Sequence, residues 1–487
     1  MQRRSFHSFN WRMLLRIMGW LLMIEAGFMI VPVIVGLGYG ESDWRVFAVT
    51  AAATAAVGGL LARFSSPGAS STGRRENFLL IAMVWVIFSL FGMLPFIFCS
   101  TPQSVTVSFF EAISDFTTTG ACALTDVASM SHAVTMWRAL MQWLGGLGII
   151  LFTLAVLPML NSAAGMQMFN NEISCITHDK LRPRISQTAI ALWKLYIALT
   201  AACALLLWLG PMDAFDAVCH AFGTLSTGGF SSSPTGIDVY DSVYVKIVIT
   251  VFMILGGIKF MLIFKMIDLK FAEVWQNNTF RLYIALIAVC IVLFIFSSWY
   301  QAGVTDLETL TLDSTFRVVS TVSTTGYSIG TPSSYGSLAS FLLLPLIFFG
   351  GCAGSTSGGA KLDRAIVAAK FAANETRRAL IPNSVFAVKA GNTVLPADAV
   401  RKSLAFIFLY LAVIASGALI LTLLNVPGGD AMIAALTTIG NATSDCHGAY
   451  LESIPSAGLW VLSAIMVIGR LEIYTVFVIF LHQFRRR

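Results

Sequence analysis

The chain has 487 residues, of which 57% are hydrophobic and only 11% are charged, and its mean hydropathy is +0.79. A water-soluble domain carries roughly a quarter charged residues, so soluble enzymes and nucleic-acid binders are excluded despite a net charge of +6. Apolar runs long enough to cross a bilayer as helix recur throughout, whereas a membrane β-barrel would show short alternating segments. The expected fold is an all-α polytopic membrane protein.

Two helices come first, at about 10–36 and 44–62, joined by the polar turn Gly40-Glu41-Ser42-Asp43. Met1-Gln2-Arg3-Arg4 looks like the basic region of a signal peptide. The apolar run from Met18 to about Gly36 is long and has no small-x-small cleavage site, so it reads as a retained helix. Four similar units follow, each a long apolar helix, a half-helix leading into a Ser/Thr/Gly cluster, and a return helix. The half-helices are expected at Val107–Phe116, Met212–Gly223, Leu312–Val322 and Gly429–Leu436. The units divide the chain at 1–76 (two extra transmembrane helices), 77–187, 188–277, 278–400 and 401–487. The fold class is therefore four helix–pore-loop–helix repeats around a pseudo-fourfold central pore, plus two N-terminal transmembrane helices.

The clusters are Thr117-Thr118-Thr119-Gly120, Ser226-Thr227-Gly228-Gly229, Ser323-Thr324-Thr325-Gly326 and Thr437-Thr438-Ile439-Gly440-Asn441. One such cluster is an ordinary loop between helices. Four in register suit a cation filter, in which backbone carbonyls replace an ion's hydration shell and glycine permits the φ values that aim them at one axis. Aligned on Thr118, Thr227, Thr324 and Thr438, they bring Gly120, Gly229, Gly326 and Gly440 to one level. Each half-helix points its partly negative end at that level.

With the filter segments dipping in from outside, six inner segments hold 27 of the 31 Lys and Arg residues, leaving Arg45, Arg138, Lys246 and Arg317 elsewhere. This positive-inside asymmetry orients the chain with both termini in the cytoplasm. Acids such as Glu111, Asp115, Asp213, Asp313 and Asp430 fall on the outer side, where they would gather cations.

Two stretches break the apolar pattern. In the return helix of repeat three, Gly350-Gly351-Cys352-Ala353-Gly354-Ser355-Thr356-Ser357-Gly358-Gly359-Ala360-Lys361 places five glycines at membrane depth. Irregular backbone is tolerated there only when buried in protein or lining a water-filled cavity. A flexible gate beneath the filter is the expectation; a kinked helix end at the inner surface is the plainer reading. In the last helix, Arg470 lies within an apolar run two residues before Glu472. It either faces the pore and holds the gate, or forms a buried ion pair or snorkels to the interface. The eight cysteines and the histidines show no metal-ligand or catalytic spacing, so no enzyme is expected.

These residues resemble the superfamily of K⁺ transporters that includes the bacterial Trk and Ktr translocating subunits. The resemblance rests on the filter clusters, on Trp143-Leu144-Gly145-Gly146-Leu147-Gly148-Ile149-Ile150, on Asp179-Lys180-Leu181-Arg182-Pro183-Arg184-Ile185 and on Gly469-Arg470-Leu471-Glu472. The two extra helices look like the Trk branch. The resemblance implies K⁺ as the transported ion, with coordination at Thr118, Thr227, Thr324 and Thr438 and the filter carbonyls. It implies a homodimer in a bacterial inner membrane and a TrkA-like cytoplasmic nucleotide-binding regulatory subunit, with nucleotide only on that partner. It assigns the gate to Gly350, Gly351, Gly354, Ser355, Thr356, Ser357, Gly358, Gly359, Lys361 and Arg470. Gly120 argues for K⁺, because serine there accompanies Na⁺ permeation in plant relatives. The reading is a gated K⁺ uptake pore driven by membrane potential. A K⁺ symporter coupled to H⁺ or Na⁺, or the channel-like subunit of an ATP-driven pump, is the alternative.

Overall fold

In the computed structural model, residues 11–64, 74–124, 129–146, 148, 185–233, 236–330, 335–381, 386–390, 393–442, 451, 454–471 and 473–480 are described. Among them the chain is helical apart from loops and a two-residue antiparallel ladder, Lys389–Ala390 with Thr393–Val394. Six helices are long and apolar enough to cross a membrane, and two more candidate spans are bent helix pairs. Polarity is inverted relative to a soluble protein. Val49, Leu209, Val292, Phe341 and Phe408 are all more than 60% exposed, while Glu111, Asp115, Arg138 and Gln142 are buried. Apolar surface outside and satisfied polar groups inside are what a lipid solvent demands. The chain is a multi-pass membrane protein.

The extra N-terminal helices, Trp11–Phe28 with Ile30–Tyr39 and Trp44–Phe64, are fastened to repeat one at their outer turn. Glu41 accepts from the amides of His132 (2.8 Å) and Ala133 (3.1 Å), capping the helix His132–Gly146. Asp43 accepts from the Ser100 amide and hydroxyl (both 2.9 Å) and from the Ser131 hydroxyl (2.6 Å). A carboxylate at a helix start satisfies orphan amides and meets the positive end of the dipole.

The half-helices are Val105–Phe116, Ala214–Leu225, Leu307–Val322 and Gly428–Gly440. Side chains cap the first three: Ser104 accepts from Val107 N (3.3 Å), Asp213 from Asp216 N (3.1 Å) and Asp306 from Thr309 N (3.0 Å). The third begins at Leu307, earlier than expected, because Asp306 caps it. Asp313 consequently lies inside the helix and pairs with Lys246 at 2.9 Å.

The return helices are less regular than the sequence suggests. That of repeat two is not the single helix expected. It breaks into Val243–Gly257 and Phe260–Ile267, bent by 112°. The reason is in the freed backbone groups: Gly257 O accepts from Cys352 N (3.0 Å), Gly256 O from the Thr356 hydroxyl (3.0 Å), and Phe260 N donates to Gly354 O (3.1 Å). The glycine-rich loop of repeat three thus satisfies the break in repeat two. The last helix ends at Arg470 and a separate one, Ile473–Phe480, follows. A further helix, Leu362–Leu380, runs on from the loop and carries Lys370, Arg377 and Arg378.

Candidate functional site: the filter strands and the loop beneath them

Three of the four clusters adopt one backbone motif. Each half-helix ends in a hydroxyl residue (Thr117, Ser226, Ser323), and the next residue is a threonine in the left-handed region: Thr118 (φ 58°), Thr227 (φ 55°) and Thr324 (φ 57°). A β-branched residue held there costs roughly 1–3 kcal/mol. Two amides hold each turn. The threonine's own amide bonds three residues back (Thr118 to Asp115, Thr227 to Thr224, Thr324 to Thr321), and the following amide bonds five back (Thr119 to Ser114, Gly228 to Gly223, Thr325 to Ser320). Gly120, Gly229 and Gly326 then return to positive φ (71°, 69° and 85°). Alternating handedness of this kind turns successive carbonyls to one side of a strand, the arrangement a dehydrated cation needs.

Repeat four has the same turn in a different register. Asn441 is the left-handed residue (φ 46°), its amide bonds Thr438 O at 3.3 Å, and Ala442 N bonds Thr437 O at 3.0 Å. Asn441, not Thr438, is the counterpart of Thr118, Thr227 and Thr324, which corrects the alignment made from sequence. Thr438, Ile439 and Gly440 are the last helical residues, held there by the Thr437 and Thr438 hydroxyls bonding back to Ile433 O (2.9 Å) and Ala434 O (2.6 Å). Close packing agrees. A β-carbon on Gly145 would lie 1.8 Å from Phe116 O and one on Gly469 2.1 Å from Ile439 O, which pairs residues that each lie two before the left-handed one. In this register the glycine position falls at Thr443, outside the described residues.

Buried charges stand behind the strands. Arg138 donates to Glu111 at 2.9 Å, approaches Asp115 at 3.7 Å and lies over the Phe230 ring at 4.3 Å. Glu111 in turn accepts from Ala123 N, just past the first filter strand. Arg317 donates to Ile329 O past the third strand and lies 3.8 Å from the Tyr335 ring centroid. Ser114 and Ser320 bond Ala121 O (2.7 Å) and Tyr327 O (2.9 Å) from equivalent positions. Three of the four cations outside the inner basic groups, Arg138, Lys246 and Arg317, are paired in or beside half-helices. Their departure from the positive-inside pattern was the available sequence signal. Gln142, whose side chain reaches the second strand, went unnoticed because one glutamine in an apolar run is unremarkable.

The loop Gly350–Lys361 is largely buried and directly touches the filter. Gly358 N donates to the Thr324 hydroxyl at 2.7 Å and Gly359 N to Gly440 O at 2.9 Å. Glycine is required at 358, where a β-carbon would lie 2.0 Å from Gly440 O. The loop's flanks are stitched by Ala360 N to Phe348 O (2.9 Å), Lys361 N to Phe349 O (2.8 Å) and Leu362 N to Gly351 O (3.1 Å). The ammonium of Lys361 donates to Ser357 O, and the hydroxyls of Ser355 and Ser357 are 2.7 Å apart. Arg470 reaches this loop from the last repeat, with Nη1 on Thr356 O (3.1 Å) and Nη2 on Gly145 O (2.7 Å) and Gly146 O (3.1 Å). Glu472, the partner that the alternative ion-pair reading would give it, lies outside the described residues, as do Leu147, Ile149–Arg184 and Asp445-Cys446-His447.

Half-helices converging on strands of alternating hand, inside a lipid-facing shell, define a polytopic membrane protein with a candidate cation path, with no grouping of His, Cys, Asp or Glu among the described residues that could hold a metal. A family model described as TrkH, cation transport protein, matches residues 43–485. The chain is 34% identical to the Trk system potassium uptake protein TrkH of Escherichia coli K12, covering 98% of this chain and 100% of that one. It is 33% identical to TrkH of Halomonas elongata over 98% of this chain and 99% of that one. The crystal structure of the potassium transporter TrkH from Vibrio parahaemolyticus superposes with a TM-score of 0.88 at 28% identity, over 97% and 99% of the two chains. The chain belongs to the TrkH family of cation transport proteins, a class of transporters and not of enzymes.

Proposed function

We propose that the protein carries K⁺ inward across a bacterial inner membrane, through a pore whose narrow outer part is the ring of filter strands and whose inner obstruction is Gly350–Lys361. The carrying observation is the left-handed threonine followed by positive-φ glycine in Thr118/Gly120, Thr227/Gly229 and Thr324/Gly326. The potassium uptake named for the relatives supplies the ion. The coordinating set is Thr118, Thr119, Gly120, Thr227, Gly228, Gly229, Thr324, Thr325 and Gly326, with Asn441 from repeat four. An inside-negative potential drives entry by about 2.3 kcal/mol per charge per 100 mV.

Gating follows from the loop's contacts. Its amides occupy the Thr324 hydroxyl and Gly440 carbonyl, and Arg470 ties it to repeat one, so conduction requires these bonds to part. The lever is the helix Leu362–Leu380, which runs on from the loop with Lys370, Arg377 and Arg378 on it. Lys370, Arg377, Arg378, Lys389, Arg401 and Lys402 form the surface for a cytoplasmic nucleotide-binding regulatory subunit. The protein works as a homodimer, each protomer with its own pore.

The test is the reversal potential of purified protein in liposomes under opposed K⁺ and Na⁺ gradients at equal pH. A potential near the K⁺ equilibrium value, moved towards Na⁺ by Gly120→Ser, is expected. A potential that follows an imposed pH gradient would replace the pore with coupled transport.

A further inference from the structure

The filter strands are braced at one level in two ways. In repeats one and three the residue after the left-handed threonine is itself a threonine. Thr119 Oγ1 lies 2.8 Å from Thr117 Oγ1, and Thr325 Oγ1 lies 2.7 Å from Ser323 Oγ. Repeat two has Gly228 there and nothing of its own to offer. Its space is filled by Gln142, reaching across from the return helix of repeat one. A β-carbon on Gly228 would lie 2.4 Å from Gln142 Oε1 and 2.6 Å from its Cδ.

Gln142 is fully buried, and its amide makes three bonds. Nε2 donates to Asp115 Oδ1 and to Gly228 O, both at 3.2 Å, and Oε1 accepts from Phe230 N at 3.2 Å. All three partners require the same orientation of the amide, so it cannot flip without losing them. The two backbone partners flank Gly229, so the side chain fixes the peptide groups on either side of the filter glycine.

We infer that Gln142 is a positioning residue for ion selectivity, standing in for the threonine side chain that repeat two lacks. The inference rests on the reading of these strands as the cation filter. A strand without this brace relaxes around a smaller ion, and discrimination against Na⁺ falls. The brace also explains the pairing of residue types: glycine at 228 is the counterpart of glutamine at 142, and neither is interchangeable alone.

The experiment measures reversal potentials of the full-length protein in liposomes under opposed K⁺ and Na⁺ gradients, with thermal stability recorded for each variant. Gln142→Met keeps length and volume but can neither donate nor accept. The expected result is a K⁺/Na⁺ permeability ratio lowered about tenfold, the scale of one buried hydrogen bond. Gly228→Thr alone collides with the Gln142 amide and loses selectivity. Gly228→Thr combined with Gln142→Ala regains it, because the introduced hydroxyl finds Ser226 as Thr119 finds Thr117. Wild-type potentials for Gln142→Met overturn the inference, and so does a double variant no better than its singles; a selective wild type in the same run leaves the filter reading intact. A wild type that ignores the K⁺ gradient overturns both. If Gln142→Met is unstable, the reciprocal rescue in the double variant decides.

Discussion

Two stretches of irregular backbone lie at membrane depth in this molecule, and they are held in different ways. The filter strands are fixed largely by side chains: Ser114, Ser320, Arg317 and Gln142 each bond a strand or its exit. Behind these, Arg138 is locked between Glu111 and Asp115. The loop Gly350–Lys361 is held mainly by backbone amides on neighbours' carbonyls, with Arg470 as its one long-range charged tie among the described contacts. Side-chain bracing makes a strand costly to move. Backbone bonds to partners that can rebond elsewhere make a segment that can be released and re-seated. The same membrane constraint thus yields a fixed element and, in the proposed function, a switchable one.

The comparison breaks most severely at Arg138. Arg138→Met leaves two buried carboxylates without their cation and should destabilise the protein by about 3–5 kcal/mol, read as a large drop in the thermal unfolding midpoint in detergent. A loss below 1 kcal/mol would mean that the cluster is not a brace. Arg470→Ala acts on the releasable side. Losing bonds worth about 1.5–3 kcal/mol each from a charged donor should raise basal K⁺ flux by at least tenfold, with the unfolding midpoint changed less than by Arg138→Met. Thr324→Val keeps the strand's backbone carbonyls but removes the hydroxyl that accepts from the Gly358 amide; it should raise flux about fivefold, whereas Thr324→Ser stays near wild type. Equal flux in the two variants would dissociate that bond from gating.

The smallest effect is expected at Asp306, the exposed cap of the third half-helix. The Thr309 hydroxyl and amide hold its carboxyl below the usual range. The sign follows from linkage: a depressed folded-state value contributes stability that is present above the unfolded value and lost as pH falls through the folded one. Asp306→Asn should therefore flatten the acidic limb of a stability–pH curve slightly, and an unchanged limb would discount the cap.

Much of this design was legible in the residues. Apolar runs, the distribution of Lys and Arg and three Thr-x-Gly clusters pointed to the architecture and to Gly120, Gly229 and Gly326, because a positive φ at a filter strand strongly favours glycine. Repeat four misled because a helix's last turn and a filter strand use the same residues. Thr437-Thr438-Ile439-Gly440 continues the helix, and only the amide bonds of Asn441 and Ala442 reveal the register. The break after Gly257 was hidden for a different reason. Its freed carbonyls are satisfied by Cys352 and Thr356, nearly a hundred residues away, and no local pattern records such a partner. Gln142 was invisible in its own helix. Its signal is relational: a glycine at 228 where the strands of repeats one and three have threonine.

If selectivity and gating reside in separate elements, deletion of Ala353–Ser357 should separate them. Flux and reversal potential would be measured together in liposomes under opposed K⁺ and Na⁺ gradients. A higher flux at an unchanged reversal potential is expected, because the loop is shortened and loses its Arg470 tie at Thr356 while the braced strands stay in place. A reversal potential that collapses towards zero, in a variant that still unfolds cooperatively, would show that the loop holds the filter together and would contradict the division.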